Sequence, residues 1–167
     1  MPLKPSAELG DILSFAIGLE RTLRGLYASV SQDLPEPEVK QALTQLADDE
    51  LGHEKLLRSR YASLGAPSPP GEEILFSLFQ KGRDTVRWAT SPLEAIKIAL
   101  ALEIRGEEFY ASWAEKAPNP DAKDLLNFLA SEEVRHAAIL KDQYRSLANE
   151  EPTIPPTDSQ IIPWPDI

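Results

Sequence analysis

A chain of 167 residues suits one domain with a core of useful size, and its net charge of −10 argues against non-specific binding to nucleic acid or an anionic membrane, both of which need a basic surface. With no cysteine, disulfides, iron–sulfur clusters and thiolate metal sites are excluded. No apolar segment approaches the ~20 residues of a membrane span. Met1 to Gly10 lacks a basic stretch followed by an apolar run, so the expectation is a cytoplasmic protein without a signal peptide.

Four long segments are predicted as helices. The first runs from about Ser6 to Asp33, with Leu9, Ile12, Leu13, Ala16, Ile17, Leu23, Leu26 and Val30 at helical spacing. Pro35 and Pro37 break it and open the second, which continues to about Leu64 and stops at Gly65. A connector of ~26 residues follows, from Gly65 to Thr90, too long for a tight turn and suited to a crossover along a bundle. It begins with Pro67-Ser68-Pro69-Pro70-Gly71, and Glu72 to Lys81 within it reads as a short helix. The third helix starts at Ser91-Pro92-Leu93-Glu94, with Ser as cap, Pro at the first helical position and Glu closing a capping box, and it ends near Ala117. Asn119-Pro120 opens the fourth, which reaches about Ala148. Short joins make the first and second helices one antiparallel hairpin, and the third and fourth another. The expected fold is all-α, an antiparallel four-helix bundle over residues 1–150, followed by a Pro-rich tail over 151–167. Five prolines in that tail preclude a helix, so it is expected to be extended or partly disordered, with Ile161, Ile162 and Trp164 suggesting that it docks.

A repeat runs through these helices. Glu50-x-x-His53 and Glu133-x-x-His136 are each preceded, 30 residues upstream, by a lone glutamate, Glu20 or Glu103, and the two halves are offset by 83 residues. Tyr27-Ala28-Ser29 recurs as Tyr110-Ala111-Ser112, and Leu46-Ala47 as Leu129-Ala130. The chain has two histidines and both fall in this pattern. Four carboxylates and two imidazoles placed this way are the ligand set of a two-metal site in a four-helix bundle.

Positions three, four and seven residues away share a helix face. By that rule all four glutamates lie on apolar stripes: Leu13, Ala16, Ile17, Leu23 and Tyr27 around Glu20, Leu43, Leu46, Ala47 and Leu57 around Glu50, Ile96, Ala99, Leu100 and Tyr110 around Glu103, and Leu126, Leu129, Ala130 and Leu140 around Glu133. A buried carboxylate without a partner costs several kcal/mol or takes up a proton. Arg24 is the only basic residue nearby on these faces. Two divalent cations would balance the four carboxylates with both histidines neutral. A three-residue helical step advances ~4.5 Å and nearly one turn, so Glu50 and His53 can grip one ion together, as can Glu133 and His136. A single Glu-x-x-His is usually a solvated helix face, and a lone histidine on an apolar face is more often a hydrogen-bonded core residue. A buried ion pair would explain one glutamate, but hardly four in two matching sets. Tyr27 and Tyr110 either hydrogen-bond near the site or fill the core. Glu107 is a spare ligand or, as its counterpart Arg24 suggests, a solvated or salt-bridged residue, and Trp88 and Trp113 are read as packing residues.

With that ligand set assembled, the chain resembles the rubrerythrin-like branch of the ferritin-like superfamily over about residues 6–148. The motifs that carry the resemblance are Glu20…Tyr27, Glu50-Leu51-Gly52-His53, Glu103…Phe109-Tyr110 and Glu133-Val134-Arg135-His136. It implies a non-haem di-iron site with two iron ions per chain, zinc or manganese being the alternatives. Glu50 and Glu133 would bridge the ions, Glu20 and Glu103 would be terminal ligands, and His53 and His136 would each bind one. Glu50 and Glu133, with Tyr27 and Tyr110, are then the candidate catalytic residues. The implied activity is reduction of hydrogen peroxide. Full-length rubrerythrins add a rubredoxin domain with four cysteines; this chain has none, so its electron donor would be a separate protein. Rubrerythrins also carry a further glutamate on the third helix that changes coordination with oxidation state, for which Glu107 is the candidate here. Two other functions stay open: an iron-oxidising, iron-handling protein, and a metal-stabilised bundle without turnover. Either hairpin alone would expose an apolar face carrying three ligands, so a homodimer is expected, with exchange of hairpins between subunits as a further possibility. No nucleic acid or membrane partner is expected.

Overall fold

The computed structural model describes residues 9–65 and 91–154, and every regular element among them is a helix. In chain order these are α1 (Leu9–Asp33), α2 (Pro37–Ser63), α3 (Pro92–Glu115) and α4 (Pro120–Ala148). The expected helical start at Ser6, the short helix at Glu72–Lys81, Trp88 and the tail beyond Ile154 lie outside the described residues. Glu151 to Ile154 is not helical.

Local chemistry fixes the helix boundaries. Ser91 and Asn119 are extended residues whose side chains accept from Glu94 N and Ala122 N, at 3.3 and 2.9 Å, and proline follows each at the first helical position. Pro37 opens α2 behind Glu36, which makes no side-chain cap. At its far end α4 is closed by Asn149 in the left-handed conformation, φ 56°, whose N–H bonds Arg145 O at 2.8 Å. Helix α3 stops at Glu115, two residues short of the expected Ala117. Its last turn tightens there into i→i+3 bonds, Lys116 N to Trp113 O and Ala117 N to Ala114 O, so the chain still coils beyond the α-helix proper.

α1 packs along α2 and α3 along α4, while narrower contacts of α1 with α3 and of α2 with α4 close the two hairpins into one bundle. Three residues, 34–36, join α1 to α2 and four, 116–119, join α3 to α4, which makes each pair antiparallel. The core is layered along the bundle. Leu13 and Ile17 on α1, Leu43 and Leu46 on α2, Ile96 and Leu100 on α3, and Leu126 and Leu129 on α4 are all essentially inaccessible. Leu23, Leu57, Phe109 and Leu140 are buried likewise. Burying one such side chain contributes ~1.5–3 kcal/mol, and these layers carry the stability of the bundle. Trp113 is buried, as expected of a packing residue, with Lys116 Nζ 4.8 Å from its ring centroid. No helix among the described residues is long and apolar enough to cross a membrane.

The cap at Asn119 also receives Arg60 Nη2 from the other hairpin at 3.5 Å. Asn119→Ala should therefore cost about 1 kcal/mol through the lost Ala122 bond. Urea denaturation checks this, with an unchanged midpoint contradicting it.

Candidate metal centre

Each helix delivers its acidic residue to the bundle axis from an apolar stripe. Glu20, Glu50, Glu103 and Glu133 each have no accessible surface, His136 has none and His53 is 6 % exposed. The six groups form two overlapping sets whose donor atoms lie within 4.8 Å of one another: Glu20, Glu50, His53 and Glu133 in one, and Glu50, Glu103, Glu133 and His136 in the other. Glu50 and Glu133 belong to both. Glu50 turns one oxygen to each histidine, Oε2 to His53 Nδ1 at 3.1 Å and Oε1 to His136 Nδ1 at 2.9 Å. Glu20 Oε2 lies 3.3 Å from His53 Nδ1 and Glu103 Oε1 lies 3.6 Å from His136 Nδ1. The imidazoles stack 5.5 Å apart, inclined by 21°.

The tyrosines cross between the halves. Tyr27 of α1 donates its hydroxyl proton to Glu103 of α3, and Tyr110 of α3 donates to Glu20 of α1. Of the two readings open in the sequence, hydrogen bonding to the site is the one observed, and both rings also fill the core. Burial, followed by the neighbouring carboxylates, pushes both phenols well above their ordinary range, so each remains a proton donor.

The donor set fits metal ions by its unsatisfied atoms. Glu50 Oε1, Glu103 Oε2, both oxygens of Glu133 and Nδ1 of His136 are buried without a hydrogen-bond partner. Buried polar atoms are rarely left so, and five converging on one axis mark a place for cations. Glu133 is the least tethered of the four. It lies against Gly106, where a Cβ would come within 3.1 Å of Oε2, so α3 makes room for this carboxylate by having no side chain there.

Protonation follows the crowding. Burial first, and then the charges of Glu20 and Glu103, raise Glu50 well above the ordinary carboxylate value; burial and Glu103 do the same to Glu133. Burial also presses Glu20 upward, but bonding from His53 and Glu50 outweighs it and holds that carboxyl low. His53 is opposed by burial yet raised by Glu20.

The neighbouring charges fall outside the donor sets. Arg24 does not neutralise the four glutamates: its Nη1 lies 3.1 Å from Glu54 Oε2, and Glu54, buried on α2, also meets Arg58 at 2.9 Å and Arg21 at 3.7 Å. Glu107 is half-buried and belongs to neither donor set. The sequence reading passed over Asp49 and Glu132. Glu132 lies 3.6 Å from His53 Nε2 and Asp49 3.5 Å from His136 Nε2. A signal was available, since each stands immediately before a repeated glutamate at the same 83-residue offset.

These shifts set the pH response of the metal-free protein. Glu50 and Glu133 are raised above their ordinary 4.5, so the folded state holds protons that the unfolded state releases, and stability falls as pH rises from there through the folded values. His53, raised above 6.5, acts in the same direction. Glu20, Asp49 and Glu132 are lowered, and their contribution is lost only as pH drops below the usual carboxylate range. The metal-free protein should therefore melt higher at about pH 5 than at about pH 7. Calorimetry checks this, and the opposite order would contradict it.

Comparison with known proteins agrees with this geometry. A rubrerythrin family model matches residues 11–144 and also 94–160. A solved structure of a hypothetical protein from Pyrococcus furiosus is similar, with a TM-score of 0.69 and 25% identity over 92% of this chain and 99% of that one. No curated protein matches. A bundle with two Glu-x-x-His pairs and two lone glutamates on its axis, matched over most of its length by that one model, belongs to the rubrerythrin family.

Proposed function

We propose that this protein is a non-haem di-iron oxidoreductase that reduces hydrogen peroxide to water with electrons from a separate donor protein. The observation that carries this reading is the pair of donor sets sharing Glu50 and Glu133. Such sharing suits two ions held side by side, with Glu20 and His53 completing one subsite and Glu103 and His136 the other. Two ferrous ions would supply the two electrons that peroxide needs, and two protons complete its conversion to two waters. Carboxylates suit that role, being hard anionic ligands able to hold both oxidation states.

The chain's own groups do the rest. Tyr27 and Tyr110 hold the terminal carboxylates from across the bundle, each fixing one oxygen and leaving the other for a ligand bond. The leucine layers keep bulk water away, which strengthens every charge interaction inside. The electrons must come from outside, since the chain contains no cysteine for an iron–sulfur or rubredoxin-type centre.

Anaerobic titration with Fe(II), followed by separate exposure to peroxide and to oxygen, tests the proposal. Two equivalents should bind per chain, and the optical spectrum should change faster with peroxide. Glu50→Ala/Glu133→Ala should lose most of the metal, and full occupancy in that double variant would overturn the assignment. A large iron-loaded assembly would favour iron handling instead, and a metal-bound protein inert to both oxidants would favour a purely structural site.

We also propose a homodimer, the commonest closed assembly for a soluble chain. Exchange of hairpins between the two subunits would bring the same six groups together and is the second form we propose for this dimer. Light scattering at micromolar concentration should give twice the 18.5 kDa chain mass, and a monomer mass would refute the dimer.

A further inference from the structure

Outside the six central groups, on the α2–α4 side, lies a charged cluster that joins the two halves. Arg135 Nη2 stands 2.8 Å from Asp49 Oδ2 on α2 and 2.8 Å from Glu132 Oε2 on its own helix, while Arg135 Nε reaches Glu132 Oε1 at 3.3 Å. The same Nη2 lies 3.1 Å from His136 Nε2. Each carboxylate also approaches the outer nitrogen of the histidine from the opposite half, Asp49 that of His136 at 3.5 Å and Glu132 that of His53 at 3.6 Å. Arg135 corresponds to Gly52 in the first half, so one guanidinium serves both.

We propose that Asp49, Glu132 and Arg135 are positioning residues that fix the tautomer of the two histidines, each carboxylate accepting a hydrogen bond from the Nε2–H of the histidine in the opposite half while Arg135 clamps the carboxylates in place. Hydrogen counting supports this for His136, while for His53 the support is the 3.6 Å approach of Glu132 to its Nε2. Nη2 of an arginine carries two hydrogens, and three atoms surround it here. Two are carboxylate oxygens at 2.8 Å, which take charge-assisted bonds in preference to a neutral ring nitrogen. His136 Nε2 is then left to carry its own hydrogen, with Asp49 as the acceptor it faces. Its Nδ1 becomes a bare lone pair 2.9 Å from Glu50 Oε1, another acceptor. That accounts for both atoms lacking a hydrogen-bond partner. Two lone pairs so close are stable only with a cation or proton between them. At 3.5–3.6 Å the carboxylate–histidine contacts are longer than hydrogen bonds, and an inward shift of about 0.6 Å would close them.

Two other readings are available for this cluster. An ordinary surface salt bridge would be worth ~0–1 kcal/mol and would not touch the histidines. His53, Glu132 and His136 could alternatively hold an outer metal ion, as their donor atoms also lie within 4.8 Å of one another. Arg135 already places a cation beside that group, which disfavours a second one there.

The inference rests on the metal reading given above, and the test separates the two. Zinc(II), being diamagnetic, can stand in for iron in protein labelled with ¹⁵N-histidine, and with two histidines in the chain the ring resonances are readily assigned. Asp49→Ala should shift or broaden the Nε2–H resonance of His136 and spare that of His53, while Glu132→Ala should do the reverse. Arg135→Ala should disturb both, with partial recovery in Arg135→Lys. Zinc affinity should fall by about 10–100-fold in the carboxylate variants. Should an alanine variant fail to fold, Asp49→Asn and Glu132→Gln keep the volume and should give the same crossed pattern more weakly. Unchanged resonances, effects within the same half, or a third zinc equivalent lost in Glu132→Ala would overturn the proposal while leaving the two-metal reading intact. A wild-type protein that takes up no zinc would overturn both.

Discussion

Mutual repulsion among buried carboxylates is the constraint on which the rest of this structure depends. Within the two donor sets Glu50 and Glu133 are neighbours of each other and of both Glu20 and Glu103, all within 4.8 Å. A pair of like charges at such a distance is worth about 3–4 kcal/mol at an effective dielectric constant of 20. Several pairs together rival the whole ~5–15 kcal/mol by which a domain of this kind is stable. The four cannot all be ionised at once without cations among them. Protons can relieve the crowding in part, in line with the raised Glu50 and Glu133, and divalent ions held among the carboxylates would relieve it further.

A repulsive centre demands strong scaffolding on either side. Leucine and isoleucine layers above and below the carboxylates hold the helices together where the centre would push them apart. Short joins and side-chain caps limit how far each hairpin can splay. The tyrosine bonds add a tie between α1 and α3, the pair of helices that bring Glu20 and Glu103. Since each of these bonds runs from one half to the glutamate of the other, neither Glu20 nor Glu103 is fully held without the opposite half.

The helices and the six central groups were legible in the sequence because both follow periodic rules. Helical spacing put Glu20, Glu50, Glu103 and Glu133 on apolar stripes, and Pro37, Pro92 and Pro120 marked the starts of three helices correctly. The tyrosine bonds were beyond such rules, because periodicity assigns a residue to a face but not a hydroxyl to an acceptor on another helix. Arg24 shows the same limit: it shares a face with Glu20, yet its reach carries it to Glu54 on α2. The Asp49–Arg135–Glu132 cluster joins residues 86 positions apart with solvent on one side. Exposed charges at a helix surface carry no pattern that distinguishes a clamp from ordinary solvation, although the repeat did place Asp49 and Glu132 in register.

Departures from the repeat show where the two halves stop being interchangeable. Arg135 replaces Gly52, Gly106 replaces Leu23, and Glu107 and Ala137 stand where the first half has the Arg24–Glu54 pair. The first two bear directly on the shared carboxylates. Glu50 has each oxygen close to a histidine, and its Oε2 is hydrogen-bonded to His53. Glu133 has neither oxygen hydrogen-bonded and rests on the bare backbone of Gly106. The two glutamates that sequence symmetry makes equal are therefore held differently, Glu50 by its neighbours and Glu133 by whatever occupies the centre. Pseudo-symmetry builds the donor set, and its local breaks decide which member of that set is free to respond to its ligands.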